Sequence, residues 1–477
     1  MRVDPSQEAT ATRTASNGSL LVLLLLTALA YLNSFAGTWQ FDDFAVLVHD
    51  PRVQTVADWW QSLPHIRPLF KLSVAVNHAL GAGLAGFHAL NLLWHLINVV
   101  LVYSVFRQLI ATHSQAPLPT GAALLIAAVF ALHPAQTEAV TYLSGRSVAM
   151  ASTGILLAVW SGLRGRQRQQ KRWFVLAAMA LLFAVGSRET AIVTPLLMAW
   201  VTLSKAGCAV APTAATDERT SPPVRGAATP ARVLFACATV LALLALMLCL
   251  PRYRELLWLA LQWPGAAQLL ATQAQAIVHL LLLAAGIAPV NADPALLISP
   301  VASLRGIASA LVFLFIGVVA WRQRQRKPLF ALGVGWAAIV WLPTHTVLLR
   351  FDPVNDRQLY LALPGLLLAL TAVLPVPQWL RRFHLAFLLL VAMLLAWSTW
   401  QHNNVYRSEV LFWQDVTQKA PHNARGWNNL GVAYANQGEL NDAEQAFVRA
   451  LAERQDYVQA AVNLKLLRAG QWRSEGE

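Results

Sequence analysis

Stretches of about 15–22 apolar residues recur along almost the whole chain, and no other feature constrains its fold as strongly. They fall at 19–37, 87–107, 120–134, 146–163, 173–187, 189–204, 232–250, 305–320, 329–347, 359–375 and 384–400. Backbone that crosses lipid must satisfy its own hydrogen bonds, so runs of this length read as membrane-spanning helices. The composition agrees. Of 477 residues, 57% are hydrophobic and 12% charged, against about 25% charged in a soluble domain. The expected fold class is all-α: a polytopic transmembrane helical bundle of about 11 spans.

The formal charge of +13 does not point to nucleic acid. The Lys and Arg residues sit in short clusters between apolar runs, at Arg164–Arg168, Lys171-Arg172, Arg322–Lys327 and Arg381-Arg382. That is the pattern of the positive-inside rule, and it makes these loops cytoplasmic. A further apolar segment, 271–288, breaks the scheme if it crosses, because Arg322–Lys327 then lands outside. Read as re-entrant, or as a hairpin with 254–267, it keeps every basic cluster inside. Eleven crossings follow, with residues 1–18 cytoplasmic, 19–402 in the membrane domain and 205–231 a cytoplasmic loop rich in Ala, Thr, Ser and Pro. Ser34-Phe35-Ala36 is a passable cleavage site, so the first span has a second reading as a signal peptide. Cys237 and Cys249 lie about 18 Å apart along one helix, too far to bridge, and Cys208 stands alone.

Residues 403–477 form a helical tail, which an odd number of crossings puts outside. From Ala424 the tetratricopeptide signature falls on Trp427, Leu430, Gly431, Tyr434, Ala443, Phe447 and Ala450. Residues 408–420, with Trp413 and Pro421 in register, look like the second helix of an earlier repeat, and 458–468 like a closing helix. About three repeats are needed for independent stability. A tail this short is expected to pack on the membrane domain or on a protein partner.

In this topology four polar groups share the outer surface. They are Phe41-Asp42-Asp43-Phe44; His133-Pro134 through Glu138, on to Tyr142 and Ser144-Gly145-Arg146; Ser187-Arg188-Glu189; and Arg350 through Asp352 with Asp356-Arg357. Ionisable groups at membrane depth are costly and by default mark function. The bland alternative is that loops are polar and helix ends carry caps. Paired carboxylates such as Asp42-Asp43 suit a general base, a divalent metal site, or both, though a dedicated protein metal cage is not expected. Arg146, Arg188 and Arg357 carry the fork that grips phosphate. On the second span His88, Asn91, His95 and Asn98 share one helical stripe. They read as interhelical hydrogen-bonding groups, with His88 at the outer end the exception that faces a substrate. Residues 58–80, with Asp58-Trp59-Trp60, His65, Arg67 and Lys71, read as one or two helices lying in the interface, fit for anchoring or for a lipid-linked substrate.

These residues carry a family resemblance. Phe41-Asp42-Asp43 with Val46 and Asp50-Pro51-Arg52-Val53 resembles the first-loop pattern of the TMTC family, the transmembrane and tetratricopeptide-containing O-mannosyltransferases. So do Arg67-Pro68-Leu69, Phe87-His88-Ala89-Leu90-Asn91 through Asn98, and Leu132-His133-Pro134-Ala135-Gln136-Thr137-Glu138 with Ser144-Gly145-Arg146. Arg188-Glu189 stands where that family has Lys-Glu. Asp356-Arg357-Gln358-Leu359-Tyr360-Leu361 is similar to its Glu-Arg-Tyr-Leu-Tyr-Leu-Pro, with the proline displaced to Pro364.

The resemblance implies a GT-C glycosyltransferase fold. It implies a polyprenyl-phosphate sugar as donor, mannose-like by analogy, a protein or glycan hydroxyl as acceptor, and inversion at the anomeric carbon. It makes a first-loop Asp the base, Asp42 by analogy, with Asp43 beside it. Arg67, His88, His133, Glu138, Arg146, Arg188, Glu189, Asp356 and Arg357 become the substrate-binding set. The expected location is a bacterial inner membrane, and the parity of crossings puts the site and tail on its periplasmic side. Two other readings stay open: a non-catalytic membrane scaffold that docks partners through its tail, and a polymerase or ligase of lipid-linked polysaccharide.

Overall fold

The structure is a computed structural model that describes residues 5–114, 121–203, 228–261, 266–295, 304–347, 352–374 and 384–472. Most of the loop read at 205–231, together with Cys208, Arg350 and Arg381-Arg382, lies outside the described residues. Among those residues every regular element is helical.

The first half runs through α1 (Pro5–Ala30), the short pair α2 (Val56–Gln61) and α3 (Pro68–Ala79), and then the 31-residue α4 (Gly83–His113). There follow α5 (Ala122–Leu132), α6 (Thr137–Val140), α7 (Arg146–Arg168), α8 (Lys171–Ser187) and α9 (Thr194–Leu203). The second half holds α10 (Ala228–Leu248), α11 (Pro251–Leu261), α12 (Ala266–Ala284), α13 (Leu304–Gln323), α14 (Pro328–Leu342), α15 (Leu363–Val373) and α16 (His384–Asn403). The tail is α17 (Glu409–Lys419), α18 (Ala424–Asn436), α19 (Leu440–Glu453) and α20 (Val458–Arg468).

Six helices among the described residues are long and apolar enough to cross a bilayer, or seven if the 55° bend at His133-Pro134 joins two halves of one span. The chain is an integral membrane protein. Glu189–Leu203, Ala271–Ala284 and Leu363–Val373 are apolar but shorter. The sequence shows eleven apolar runs; helical geometry ends earlier than hydropathy does. Pro134 opens a 3-10 turn, Glu189–Val193 is a second, and Pro343–Val347 is a π turn, each cutting an apolar run short. Segment 271–288 is mostly α12, which packs on α13 and on the turn at Asp356–Leu359 and buries Ala276, Leu280 and Leu283.

The core gathers α1, α4, α5, α7, α14 and α15. In lipid there is no water to drive helices together, so close packing does it, and small residues allow the approach. A Cβ on Gly154 of α7 would stand 2.7 Å from Ala180 O and from Ala184 Cβ of α8. Gly333 and Gly365 meet in the same way where α14 crosses α15. The basic residues Arg164–Arg172 lie at the α7–α8 turn. α7 is 23 residues long, about 35 Å, so this cluster sits a bilayer core away from Arg146 and the Asp42 loop.

The tail closes onto the other end. Side-chain caps start two of its helices: Ser408 accepts from Leu411 N at 3.2 Å and Asn423 from Gly426 N at 3.0 Å. Phe412, Trp413, Val416 and Leu430 share one apolar cluster with Tyr406 and with Tyr142 and Ala292 of the membrane domain. Lys419 Nζ donates to Val290 O (2.8 Å) and Asn423 Nδ2 to Asp293 O (3.1 Å).

Candidate active site

Two adjacent carboxylates follow α1, and their surroundings differ. Asp43 is fully buried. Its Oδ1 accepts from Ser144 N (2.7 Å) and Ser144 Oγ (2.5 Å), and its Oδ2 from Gln40 N (3.1 Å). Burial pushes its pKa up to about 7 against the pull of these donors. Asp42 is partly exposed. Its backbone N–H donates to Tyr142 Oη at 3.1 Å, and among the described residues nothing hydrogen-bonds or ion-pairs its carboxylate. Asp43 thus ties the loop to the α6–α7 turn, and Asp42 is left free to face a ligand.

The arginines sort in the same manner. Arg146 is 1% exposed and spends its guanidinium on Asn91 Oδ1 (2.6 Å), Phe87 O (3.1 Å) and Ser73 O (3.2 Å), with the Phe87 ring beneath it. It braces α3, α4 and α7. Arg67 grips Glu189 through Nε (2.7 Å) and Nη2 (2.5 Å), joining α3 to the turn after α8. Arg188 donates from Nη1 to Ser147 Oγ at 2.8 Å. Arg357 lies 3.5 Å from Glu138 Oε1 through Nε, while its backbone N donates to Glu138 Oε2 at 2.7 Å.

The remaining predicted residues are buried around this set. His133 accepts from Ala135 N (3.2 Å) and caps the turn that bends the helix there. Asp356 accepts from Asn291 N (2.8 Å), and its Oδ1 is buried without a hydrogen-bond partner. Burial, and then the nearby Glu138 charge, push its carboxyl well above the usual range. Neither ring nitrogen of His88 finds a hydrogen bond, and the ring packs under Gly37. The other members of the α4 stripe are bonded. Asn91 donates to Val140 O, His95 lies 2.8 Å from Tyr360 Oη and 3.0 Å from Ala131 O, and Asn98 donates to Ala149 O and Tyr360 Oη.

Two hollows meet at Arg357. One is a narrow cleft lined by Asp42, Glu138, Tyr142, Asp293, Asp352 and Arg357, and by Phe412, Trp413 and Arg425 of the tail. The other is a groove with Arg188 and Arg357 in its wall and an otherwise mostly apolar lining that includes Val148, Ile155, Val193, Val340 and Leu361. A free carboxylate on one side of Arg357, and two guanidiniums over apolar surface on the other, can draw a proton from a hydroxyl and hold an amphipathic anion. Among the described residues no group of three His, Cys, Asp or Glu side chains is arranged to hold a metal ion.

A tetratricopeptide repeat model matches residues 424–457. The protein O-mannosyl-transferase Tmtc2 of Drosophila melanogaster is 31% identical over 197 residues, 36% of this chain and 20% of that one. The protein O-mannosyl-transferase F38B6.6 of Caenorhabditis elegans is 26% identical over 209 residues, 40% and 29% of the two chains. Human protein O-mannosyl-transferase TMTC4 is 29% identical over 161 residues, 29% and 22%. Its curated homologues are TMTC-family protein O-mannosyltransferases. The matched stretches span less than a third of each of these three relatives. No solved structure matches the chain at a significant level.

Sequence reasoning missed the cleft residues Asp293, Phe412, Trp413 and Arg425. Trp413 stood out only as a repeat-register position, and Asp293 lies in a segment with no motif. The available signal for Arg425 was its place at the start of the repeat, one residue after Ala424, where a charged side chain must face away from the repeat core.

Proposed function

We propose that this chain is a GT-C type glycosyltransferase. It moves a sugar from a polyprenyl-phosphate carrier to a protein hydroxyl at the outer face of the membrane, and the relatives' names make mannose the first sugar to test. One observation carries the reading: Arg357 belongs to both hollows, with the unpartnered Asp42 carboxylate on one side and Arg188 above apolar surface on the other. The prenyl chain would lie in the groove with its phosphate between Arg188 and Arg357. The acceptor hydroxyl would enter the cleft from the other side.

In the transfer the hydroxyl proton goes to Asp42 and the oxygen attacks the anomeric carbon from the face opposite the phosphate. The anomeric carbon–oxygen bond breaks and its electron pair leaves with the phosphate, so configuration inverts. General-base help of this kind is worth about 10²–10⁴ in rate. The leaving phosphate gains charge as the bond breaks, and fixed guanidiniums in a site with little water stabilise that charge. The positive-inside pattern supports an extracytoplasmic cleft and tail, which in this reading face the periplasm of a bacterial inner membrane.

The test is a transfer assay with purified protein, a lipid-phosphate mannose and acceptor peptides. Asp42→Asn should lose about 10²–10⁴ of turnover with donor binding nearly unchanged, whereas Arg357→Ala should weaken donor binding. Full activity in Asp42→Asn would move the base elsewhere. If no lipid-phosphate sugar is consumed at all, the transferase reading falls and the scaffold reading gains.

A further inference from the structure

We infer that the tetratricopeptide tail is itself a wall of the acceptor site, and that Arg425 sets the charge of the peptide segment that can bring its hydroxyl to Asp42. The inference rests on the transferase reading above. The tail does not hang free beside the cleft. Phe412, Trp413 and Arg425 line it together with Asp42 and Arg357. Trp413 meets Phe41, the residue before Asp42, edge-to-face at 5.3 Å, and Phe412 stacks on Tyr142, whose hydroxyl holds the Asp42 backbone. A segment entering the cleft touches the tail and the reacting end of the site together.

The charges in the cleft do not cancel. Asp42, Glu138, Asp293 and Asp352 face Arg357 and Arg425. Arg357 answers Glu138. Arg425 answers two carboxylates, Asp293 at 2.7 Å and Asp352 at 2.7 Å, and none of these pairs involves Asp42. The lining therefore carries a surplus of negative charge, and it selects acceptor segments with a basic residue beside the hydroxyl over acidic ones. Arg425 and Asp352 are each about a third exposed. Their contact contributes little to stability, while their charges act directly on whatever enters.

Two variants with opposite effect test this. Full-length protein is assayed with lipid-phosphate mannose and two peptides of equal length, one with Lys and one with Glu flanking the same serine. The measured quantity is the ratio of kcat/KM for the Lys peptide over the Glu peptide, with peptide Kd by fluorescence anisotropy alongside. Arg425→Gln removes a positive charge and should raise the ratio about 3–10-fold; Asp352→Asn removes a negative one and should lower it by a similar factor. Added salt should shrink both shifts. The two substitutions break the same ion pair, so a tail merely loosened by them moves both ratios the same way, and that result overturns the inference, as does no shift in either. The Kd ratio reads the charge selection even if no sugar is transferred, which separates a failure here from a failure of the transferase reading.

Discussion

The polar stripe inside α4 and the rim of the cleft both bring polar side chains into an apolar bundle and treat them in opposite ways. On the stripe, Asn91, His95 and Asn98 are 0% exposed and each is bonded to a neighbouring element. At the rim, Asp42 has no partner and Arg357 reaches two hollows. A polar group enclosed by protein must be bonded or it costs about 1–3 kcal/mol. These three residues meet that demand and form the joint between α4, the α5–α6 region and α7, while His88 at the stripe's outer end does not. The rim leaves it open, and an open polar group is one that a ligand can complete. What separates scaffold from site here is whether the polar group is already satisfied.

The sharpest way to break this comparison is to substitute one member of each kind. Asp42→Asn should abolish most turnover and leave the thermal unfolding midpoint where it was. Arg146→Ala should do the reverse damage: the buried acceptors Asn91 Oδ1 and Phe87 O, and the part-buried Ser73 O, lose their donor. Several kcal/mol of stability should go with them, read as a lower midpoint or lost expression. An Arg146→Ala protein that folds normally would put Arg146 among the ligand-binding residues after all.

A smaller effect concerns pH. Asp43 titrates near 7 when folded, above the value of about 4 for an unfolded Asp. The folded chain thus keeps a proton that the unfolded chain releases. The associated stability is full below about pH 4 and is lost as pH rises through about 7. Asp43→Asn mimics the protonated acid. The difference in midpoint between variant and wild type should therefore grow in the variant's favour from pH 4 to 7; a constant difference would show Asp43 charged throughout. The smallest effect belongs to the stripe: Tyr360→Phe removes one hydroxyl from the His95–Asn98 contact and should cost about 1 kcal/mol or less, with turnover unchanged.

The elements that periodicity reveals were legible in the residues. The α4 stripe, the paired helices at 56–79 and the repeat helices all follow from spacing. Helix ends were less legible, because a run such as 120–134 stays apolar through a break that only Pro134 announces. The division of labour between Asp42 and Asp43 could not be read at all. It depends on Ser144, 101 positions away from Asp43, and local pattern carries no information about such a contact. Arg425 was hidden for the same reason, since its partners Asp293 and Asp352 come from separate loops.

One carbonyl joins the beginning of this protein to its end. Tyr406 O accepts from Thr38 N (3.0 Å) and from Gln40 Nε2 (3.1 Å), so the strap of chain leading to Asp42 is fastened by a residue 366 positions downstream of Gln40. At synthesis rates of about 5–20 residues per second, that fastener is made roughly 20–70 s after the loop it holds. During that interval the Asp42 loop exists without its clasp. A chain cut before Tyr406 lacks both of these hydrogen bonds, and the strap that leads to Asp42 then rests on Tyr142 and Ser144 alone.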